Sequence, residues 1–319
     1  MAGEEKRANA TFSFELYPPR SEASEAALFE SLEHLVAAGP EFISVTYGAN
    51  GSSRGASLAV LRHLRETAAV HAMAHLTCVG TSYEEANALI REFLDAGITS
   101  FLALRGDPPQ GVAEGESFLG DLGSAAELVQ LIHRVQAERE PFTFGEVAGF
   151  PAARRLKRGG KVTIAVAAFP NGHPNSRSVQ QDIDTLLAKE AAGANLAITQ
   201  LFFQAEDYLR FVDRAREAGV TMRILPGIMP VPSAKRLDRM LELSGEADPV
   251  DLRRRLEAAG DPEAEARVGI EHATELAEEL LQGGSDGIHL YTFNKHEAAL
   301  AVLDGVGLIP AQRRQKDDR

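Results

Sequence analysis

The chain has 319 residues, 44% of them hydrophobic, enough apolar side chains for one large core or two ordinary ones. A formal net charge of −13 argues against general affinity for nucleic acid or anionic membranes. The single cysteine, Cys78, excludes an internal disulfide and points to a reducing compartment, and no apolar run has the length of a secretory signal or a bilayer span, so a cytoplasmic globular protein is expected.

Residues 1–9 form a polar leader. Residues 10–16 (ATFSFEL) then alternate small or polar with apolar side chains and stop at Pro18-Pro19, the pattern of a first strand. Ser21 precedes an acidic first turn, with Leu28, Leu32, Leu35 and Val36 at helical spacing and Gly39 as the stop. Residues 42–47 (FISVTY) predict a second strand, and Leu58, Leu61 and Leu64 mark its helix. Residues 72–79 (AMAHLTCV) and 83–96 make the third pair. The fourth strand, 101–104, ends in Arg105-Gly106-Asp107 and two prolines that forbid its continuation, and its helix covers 125–138. Strands at 162–169, 196–203, 223–231 and 288–293 follow, with helices at 179–192, 208–218, 234–243 and 297–303.

Strand and helix alternate eight times with mostly short connections. That pattern predicts parallel βαβ units, and the count selects a closed (β/α)8 TIM barrel, a single α/β domain over residues 10–309. An open doubly wound sheet would ordinarily carry a glycine fingerprint after its first strand, where this chain has Pro18-Pro19. Two segments exceed the eight units and read as insertions. One, about 141–160, contains Arg154, Arg155, Lys157 and Arg158 and reads as a solvated surface turn or as a loop that meets a phosphate or an acidic partner; the other, about 248–284, reads as a pair of helices. Val147-Ala-Gly-Phe-Pro151 echoes Val166-Ala-Ala-Phe-Pro170, and the later copy is taken as the barrel strand because His173-Pro174 follows it. A charged tail fills 310–319.

Ligands of such barrels bind where the carboxyl ends of the strands converge. Those ends deliver Glu15, Thr46, Tyr47, His75, Thr77, Arg105, Asp107, Phe169, His173, Gln200, Tyr291, Asn294 and Lys295, polar, titratable or aromatic groups on otherwise apolar runs. Arg105 and Asp107 also read as a pair that ties down a loop, His75 as a satisfied core histidine, and Thr46 and Gln200 as groups bonded within the protein. Glu15 is the sharpest functional candidate, because it lies between Phe14 and Leu16 ahead of a diproline and buried carboxylates are uncommon without a partner or a task. There is no metal-ligand spacing and no P-loop, and Cys78 reads as a small core residue.

Eight motifs stand in one order: Phe14-Glu-Leu-Tyr-Pro-Pro-Arg20, Ser44-Val-Thr-Tyr-Gly-Ala49, His75-Leu-Thr-Cys78, Ala103-Leu-Arg-Gly-Asp107, Ala168-Phe-Pro-Asn-Gly-His-Pro174, residues 192–203 (AGANLAITQLFF), Pro226-Gly-Ile-Met-Pro230 and Tyr291-Thr-Phe-Asn294. Together they make the chain, from residue 12 to about 309, resemble the bacterial-type methylenetetrahydrofolate reductase family. The resemblance implies a homo-oligomeric flavoenzyme of one-carbon metabolism and methionine biosynthesis, with non-covalent FAD and with NADH or NADPH as electron donor. It would reduce 5,10-methylenetetrahydrofolate to 5-methyltetrahydrofolate in a ping-pong cycle through flavin N5. By position, Glu15 resembles the general acid that protonates folate N10, and Asp107 the carboxylate beside flavin and folate. Thr46 falls near flavin N5. Tyr47, Ala49, His75, Arg105, Gly106, Phe169, His173, Asp182 and Lys189 fall on FAD positions, and Gln200, Tyr291 and Lys295 on substrate positions.

The chain departs from the family pattern in three places. Phe169 stands where tyrosine is common, Ala188 replaces a basic residue beside Lys189, and Lys295 stands where the family can carry arginine. The arginines of the 141–160 insertion are a candidate compensation toward the FAD tail. Two other readings are another flavin barrel of proline-dehydrogenase type and a non-catalytic relative kept as a binding subunit.

Overall fold

The computed structural model describes residues 10–46, 54–68, 70–108, 118–139, 143–147, 150–157 and 162–309. Its strands are β1 (Thr11–Leu16), β2 (Phe42–Val45), β3 (His71–Thr77), β4 (Ser100–Leu104), β5 (Thr143–Val147), β6 (Phe150–Lys157), β7 (Thr163–Ala168), β8 (Leu196–Thr199), β9 (Arg223–Leu225), β10 (Gly227–Ile228) and β11 (Gly287–Tyr291). Nine of them form one parallel sheet in the order β10-β11-β1-β2-β3-β4-β7-β8-β9. The two ends of that order, β9 and β10, are one strand interrupted at Pro226, whose ring nitrogen has no proton to give the ladder. The first piece pairs with β8 and the second with β11, and the Pro226 carbonyl still accepts from the His289 amide at 2.9 Å. The eight-stranded barrel expected from the sequence is therefore present, with its seventh strand divided.

The helices are α1 (Glu22–Ala38), α2 (Arg54–Thr67), α3 (Tyr83–Asp95), α4 (Ala125–Arg139), α5 (Val179–Ala191), α6 (Ala205–Glu217), α7 (Ala234–Ser244), α8 (Val250–Ala258), α9 (Pro262–Gln282) and α10 (His296–Gly305). Serine or aspartate side chains at Ser21, Ser82, Ser178, Ser233 and Asp261 accept first-turn N–H groups, each such cap being worth about 1 kcal/mol.

Side chains alternate across every strand, and the two sets have different fates. One set, including Phe12, Phe14, Ile43, Phe101, Ile164, Ile288 and Leu290, packs outward into the helical shell as the main core. The other fills the barrel axis with a second apolar cluster of Phe42, Met73, Leu102, Ala165, Leu196, Ile198 and Leu225. Ser13, Glu15, His75, His289 and Tyr291 share that inward parity, so polar groups enter the barrel from β1, β3 and β11.

Two expectations change and one holds. Of the 141–160 insertion, residues 143–147 and 150–157 pair as antiparallel strands, β5 with β6, rather than forming a turn, and Val147 and Phe150 of the echoed motif lie in them. Residues 163–168 supply the barrel strand, as the His173-Pro174 argument requires. The 248–284 segment is a helix pair as expected, but α9 packs against both α6 and α10 and so holds the ring position before β11, leaving α7 and α8 outside it. Packing and not length decides this, since α10 lies in the ring with only 10 residues, against α1 and α9.

Helix α9 reaches that position through one glycine. A Cβ on Gly269 would stand 1.7 Å from the Val231 carbonyl oxygen, in the loop after the divided strand. Gly269→Ala is expected to destabilise the fold by about 1–3 kcal/mol through overpacking, although alanine is the better helix former by about 1 kcal/mol. A urea midpoint at or above that of the unsubstituted chain would show that the close approach is not a constraint.

Candidate active site at the barrel mouth

Glu15 sits one residue before the end of β1 and is only 8% exposed. Its Oε2 lies 3.6 Å from His75 Nε2 on β3 and 3.9 Å from His289 Nε2 on β11. Both separations exceed a hydrogen bond, and both nitrogens are buried with no hydrogen-bond partner among the described residues. Burial lowers the His75 pKa, with the Glu15 charge opposing and His289 assisting, so the ring is neutral near pH 7 and its contact with Glu15 is not an ion pair. Ser13 Oγ lies 2.7 Å from His289 Nδ1, which leaves Nε2 aimed at the carboxylate. The His289 ring lies over Phe42 at 5.7 Å and meets the edge of Tyr291 at 5.3 Å.

The Tyr291 hydroxyl donates to the Thr199 carbonyl at 2.8 Å, and burial holds this phenol well above its ordinary pKa. Tyr17, just past β1, is likewise pushed up to about 12 by burial and secondarily by Glu15. Both phenols stay protonated across the neutral range.

A second group gathers at the ends of β4 and β7. The Lys189 ammonium, on the last turn of α5, donates to the Ala167 carbonyl at 2.8 Å. Burial lowers its pKa to about 8, with Asp182 opposing and Arg105 assisting. Asp182, on the first turn of α5, accepts from Ser176 Oγ and from the His173 amide. His173 meets the ring of Phe169 edge-on at 4.7 Å, and its pKa is lowered by burial and by Arg105, against Asp107 and Asp182. The Arg105 guanidinium lies 5.7 Å from the centroid of Phe118. Gly106 turns the chain at φ +84°, where an added Cβ would stand 2.4 Å from Val79 Cγ2.

The remaining candidates are more open. Thr46 is half-buried, its amide bonded to Leu16 and its carbonyl to Ser57 Oγ. Gln200 follows β8, and its Oε1 accepts the amide of Leu201 at 2.9 Å. Asp107 and Lys295 are exposed, Lys295 as the residue before α10. Tyr47 and Ala49 lie outside the described residues, as do the side chains of β5 and β6. Cys78 is buried and its thiol is pushed up to about 11, mainly by burial, so it stays a thiol.

Ser13 and His289 were missing from the sequence reading. The signal was present: Ser13 has the same strand parity as Glu15, and His289 the same as Tyr291. Their partnership across 276 residues depends on the β1–β11 register, Ser13 opposite His289 and Glu15 opposite Tyr291.

A parallel α/β barrel with titratable groups collected at the carboxyl ends of its strands defines the enzyme-like class of barrel proteins. Within it the chain belongs to the methylenetetrahydrofolate reductase family, whose profile matches residues 2–307. The 5,10-methylenetetrahydrofolate reductase of Salmonella typhimurium is 35% identical over 300 residues, covering 93% of this chain and 91% of that protein. Methylenetetrahydrofolate reductase (NADH) 1 of Arabidopsis thaliana is 33% identical over 95% of this chain, which spans 49% of the plant protein. Among solved structures, an uncharacterized protein from Clostridium thermocellum that binds two copies of 5-methyl-5,6,7,8-tetrahydrofolic acid aligns over 97% of each chain, with a TM-score of 0.57 and 14% identity, a likeness of fold.

Lys189 yields a test with a definite sign. Folded, it releases its proton near pH 8; unfolded, it holds it to near pH 10.5. The unfolded chain therefore binds more protons between those values, and stability rises with pH across that window. The destabilisation is complete below pH 8 and absent above 10.5, with a full size of about 3 kcal/mol. In ligand-free protein, the stability of the unsubstituted chain relative to Lys189→Met is expected to climb from pH 8 to pH 10 in urea titrations. A flat difference would show that the ammonium carries no desolvation penalty.

Proposed function

We propose that this chain reduces 5,10-methylenetetrahydrofolate to 5-methyltetrahydrofolate, with FAD as resident cofactor and NADH or NADPH as electron donor. Family membership supports the reaction, and the observation that carries the reading is the buried Glu15 carboxyl group facing two unbonded imidazole nitrogens at the barrel mouth.

The residues present fit a flavin dinucleotide. Lys189 and Arg105 supply a cationic wall beside Asp182, which suits a diphosphate, and His173, whose pKa burial and Arg105 lower, stands beside them as a neutral ring. The desolvated Lys189 has one bond to a carbonyl and two donor protons left for an anion. The backbone turns at Gly106 and Gly172, both at positive φ, keep the approach free of side chains. His75 Nε2 is an unsatisfied buried group awaiting a partner. Thr46, Tyr47, Ala49 and Phe169 would complete the cradle. Phe169 contributes a ring packed on His173 where a hydroxyl is absent. Bound FAD would take a hydride from the nicotinamide and supply it to the folate.

The chain's own residues would do the rest. Glu15 would donate a proton to folate N10, so that the five-membered ring opens and a cationic iminium forms at N5 of the substrate. With Glu15 only 8% exposed, bulk water has little access to the side chain that would make the transfer. The neutral imidazole of His75 adds no competing positive charge beside the carboxyl. Asp107 would place a negative charge near the developing cation and stabilise it. Gln200 would hold the pterin by its amide on exchanging its bond with Leu201. Tyr291 would offer its ring rather than its engaged hydroxyl. Lys295, exposed at the rim, would meet the carboxylates of the folate tail.

The purified protein is then expected to be yellow, to bleach with reduced nicotinamide under anaerobic conditions, and to recover its colour on addition of methylenetetrahydrofolate. Glu15→Gln should keep the nicotinamide-dependent bleaching and slow the folate-dependent recovery by at least about 100-fold, the lower range for removal of a general acid. Unchanged recovery would remove Glu15 from its assigned role, and a colourless protein with no flavin would favour a non-catalytic relative.

A further inference from the structure

The turn after β11 is built against the intrinsic preferences of its residues. Phe293 and Asn294 have φ of +52° and +60°, and they are the non-glycine residues with positive φ among those described. Asparagine tolerates this left-handed region, but a bulky residue such as phenylalanine is a true outlier there. Such strain persists only where the surroundings determine it, and here the surroundings are specific.

The Asn294 side chain closes a two-bond ring with the backbone of Tyr17. Its Oδ1 accepts the Tyr17 amide at 2.7 Å and its Nδ2 donates to the Tyr17 carbonyl at 2.8 Å. The partners fix the orientation of the amide, because a backbone N–H can only donate and a carbonyl can only accept. Beside it, the Thr292 hydroxyl donates to the Glu15 carbonyl at 2.8 Å while accepting the Asn294 amide at 3.1 Å. The β1–β11 ladder ends at Glu15 opposite Tyr291, and Pro18 and Pro19 cannot donate to extend it. Asn294 therefore supplies through its side chain the next rung that the sequence denies the backbone. Tyr17 and Phe293, each 37% exposed, stack across this clamp at 6.4 Å.

We propose that Asn294 is a positioning residue: its amide clamps the end of β1 to the end of β11 and so sets the Glu15 carboxyl group at the mouth, and the left-handed turn is retained because it points that amide at Tyr17. The inference rests on the reading of Glu15 as proton donor given above. Glu15 is bracketed by clamped backbone, its own carbonyl on Thr292 and the residue two positions on held by Asn294. Its side chain has no hydrogen bond to either nearby imidazole to hold it otherwise.

The test uses the flavin-loaded protein and three variants. Asn294→Ala removes the amide. Asn294→Gly removes it and also relaxes the turn. Asn294→Asp keeps an acceptor for the Tyr17 N–H but loses the donor to its carbonyl. Folate-dependent recovery of flavin colour is expected to slow at least tenfold in Asn294→Ala and Asn294→Gly and by an intermediate factor in Asn294→Asp, with nicotinamide-dependent bleaching within twofold of the unsubstituted protein. Hydrogen exchange of the Tyr17 amide, measured in parallel, should accelerate in the alanine and glycine variants and stay slow in the aspartate variant.

Fast exchange at Tyr17 with an unchanged folate step would overturn the proposal, as would an equal loss in both half-reactions, the mark of general structural damage. Unchanged Tyr17 exchange in Asn294→Gly would also overturn it, because the clamp would then not depend on the amide. Glu15→Gln, run alongside, separates the two readings. An intact folate step in that variant removes the proton donor itself, whereas its loss beside unaffected Asn294 variants removes only the clamp.

Discussion

This parallel sheet buries its inner face by closing on itself, and closure passes through one narrow contact. Pro226 breaks the seventh strand, so neither piece alone carries a continuous ladder between β8 and β11. The gap is bridged by side chains. The Thr199 hydroxyl accepts the Gly227 amide at 2.8 Å, and the Thr199 carbonyl accepts the Tyr291 hydroxyl. A Cβ on Gly227 would stand 2.3 Å from that carbonyl oxygen and 2.7 Å from the Tyr291 ring, so glycine is what lets the three strands meet. Because Tyr291 is held there, β11 is held in register with β1, and the relative positions of Glu15, Ser13 and His289 follow.

The mouth above that closure is divided by how its charges are treated. On the β1–β3–β11 side, burial keeps His75 neutral and the phenols protonated, and a carboxyl group faces rings that do not neutralise it. On the β4–β7 side, cationic groups are packed closely enough that Arg105 helps to depress both His173 and Lys189. Asp182 relieves part of that repulsion and is itself fixed by Ser176 and the His173 amide. One half therefore holds its titratable groups largely neutral in low dielectric, and the other concentrates positive charge.

The barrel was legible in the sequence because closed α/β barrels repeat a short unit, and each unit carries its own start, stop and apolar period. The carboxyl-end residues were legible for the same reason: Glu15, His75 and Tyr291 interrupt apolar runs at predictable places. What was not legible depends on neighbours far along the chain. Asn294 reads as an ordinary strand-end residue until register brings it to Tyr17, 277 positions away. His289 reads as one polar residue in a buried strand until Ser13 is opposite it. The pairing of β5 with β6 was hidden because the basic residues carry no clean alternation, and α9 reads as an extra because α7 directly follows the divided strand and takes the place in the alternation that a ring helix would hold. Local propensity found the elements, and long-range pairing decided which of them form the wall.

The groups at the mouth also differ in how far the protein has already satisfied them, and this bears on where binding free energy can arise. The Tyr291 hydroxyl and the Asp182 carboxylate are engaged by the protein, so a ligand that competed for them would first have to break those bonds. His75 Nε2 and His289 Nε2 are desolvated already and bonded to nothing among the described residues. Leaving a buried polar nitrogen unpaired costs about 1–3 kcal/mol, and folding has already met that cost in both rings. A ligand group that reaches either nitrogen gains a hydrogen bond without stripping water from the protein partner. The two orphaned nitrogens flank the same carboxyl group, so the ligand they favour is one whose polar edge is brought against Glu15. A bond to either ring would therefore fix the orientation of that edge as well as add affinity, because both nitrogens converge on one carboxylate oxygen.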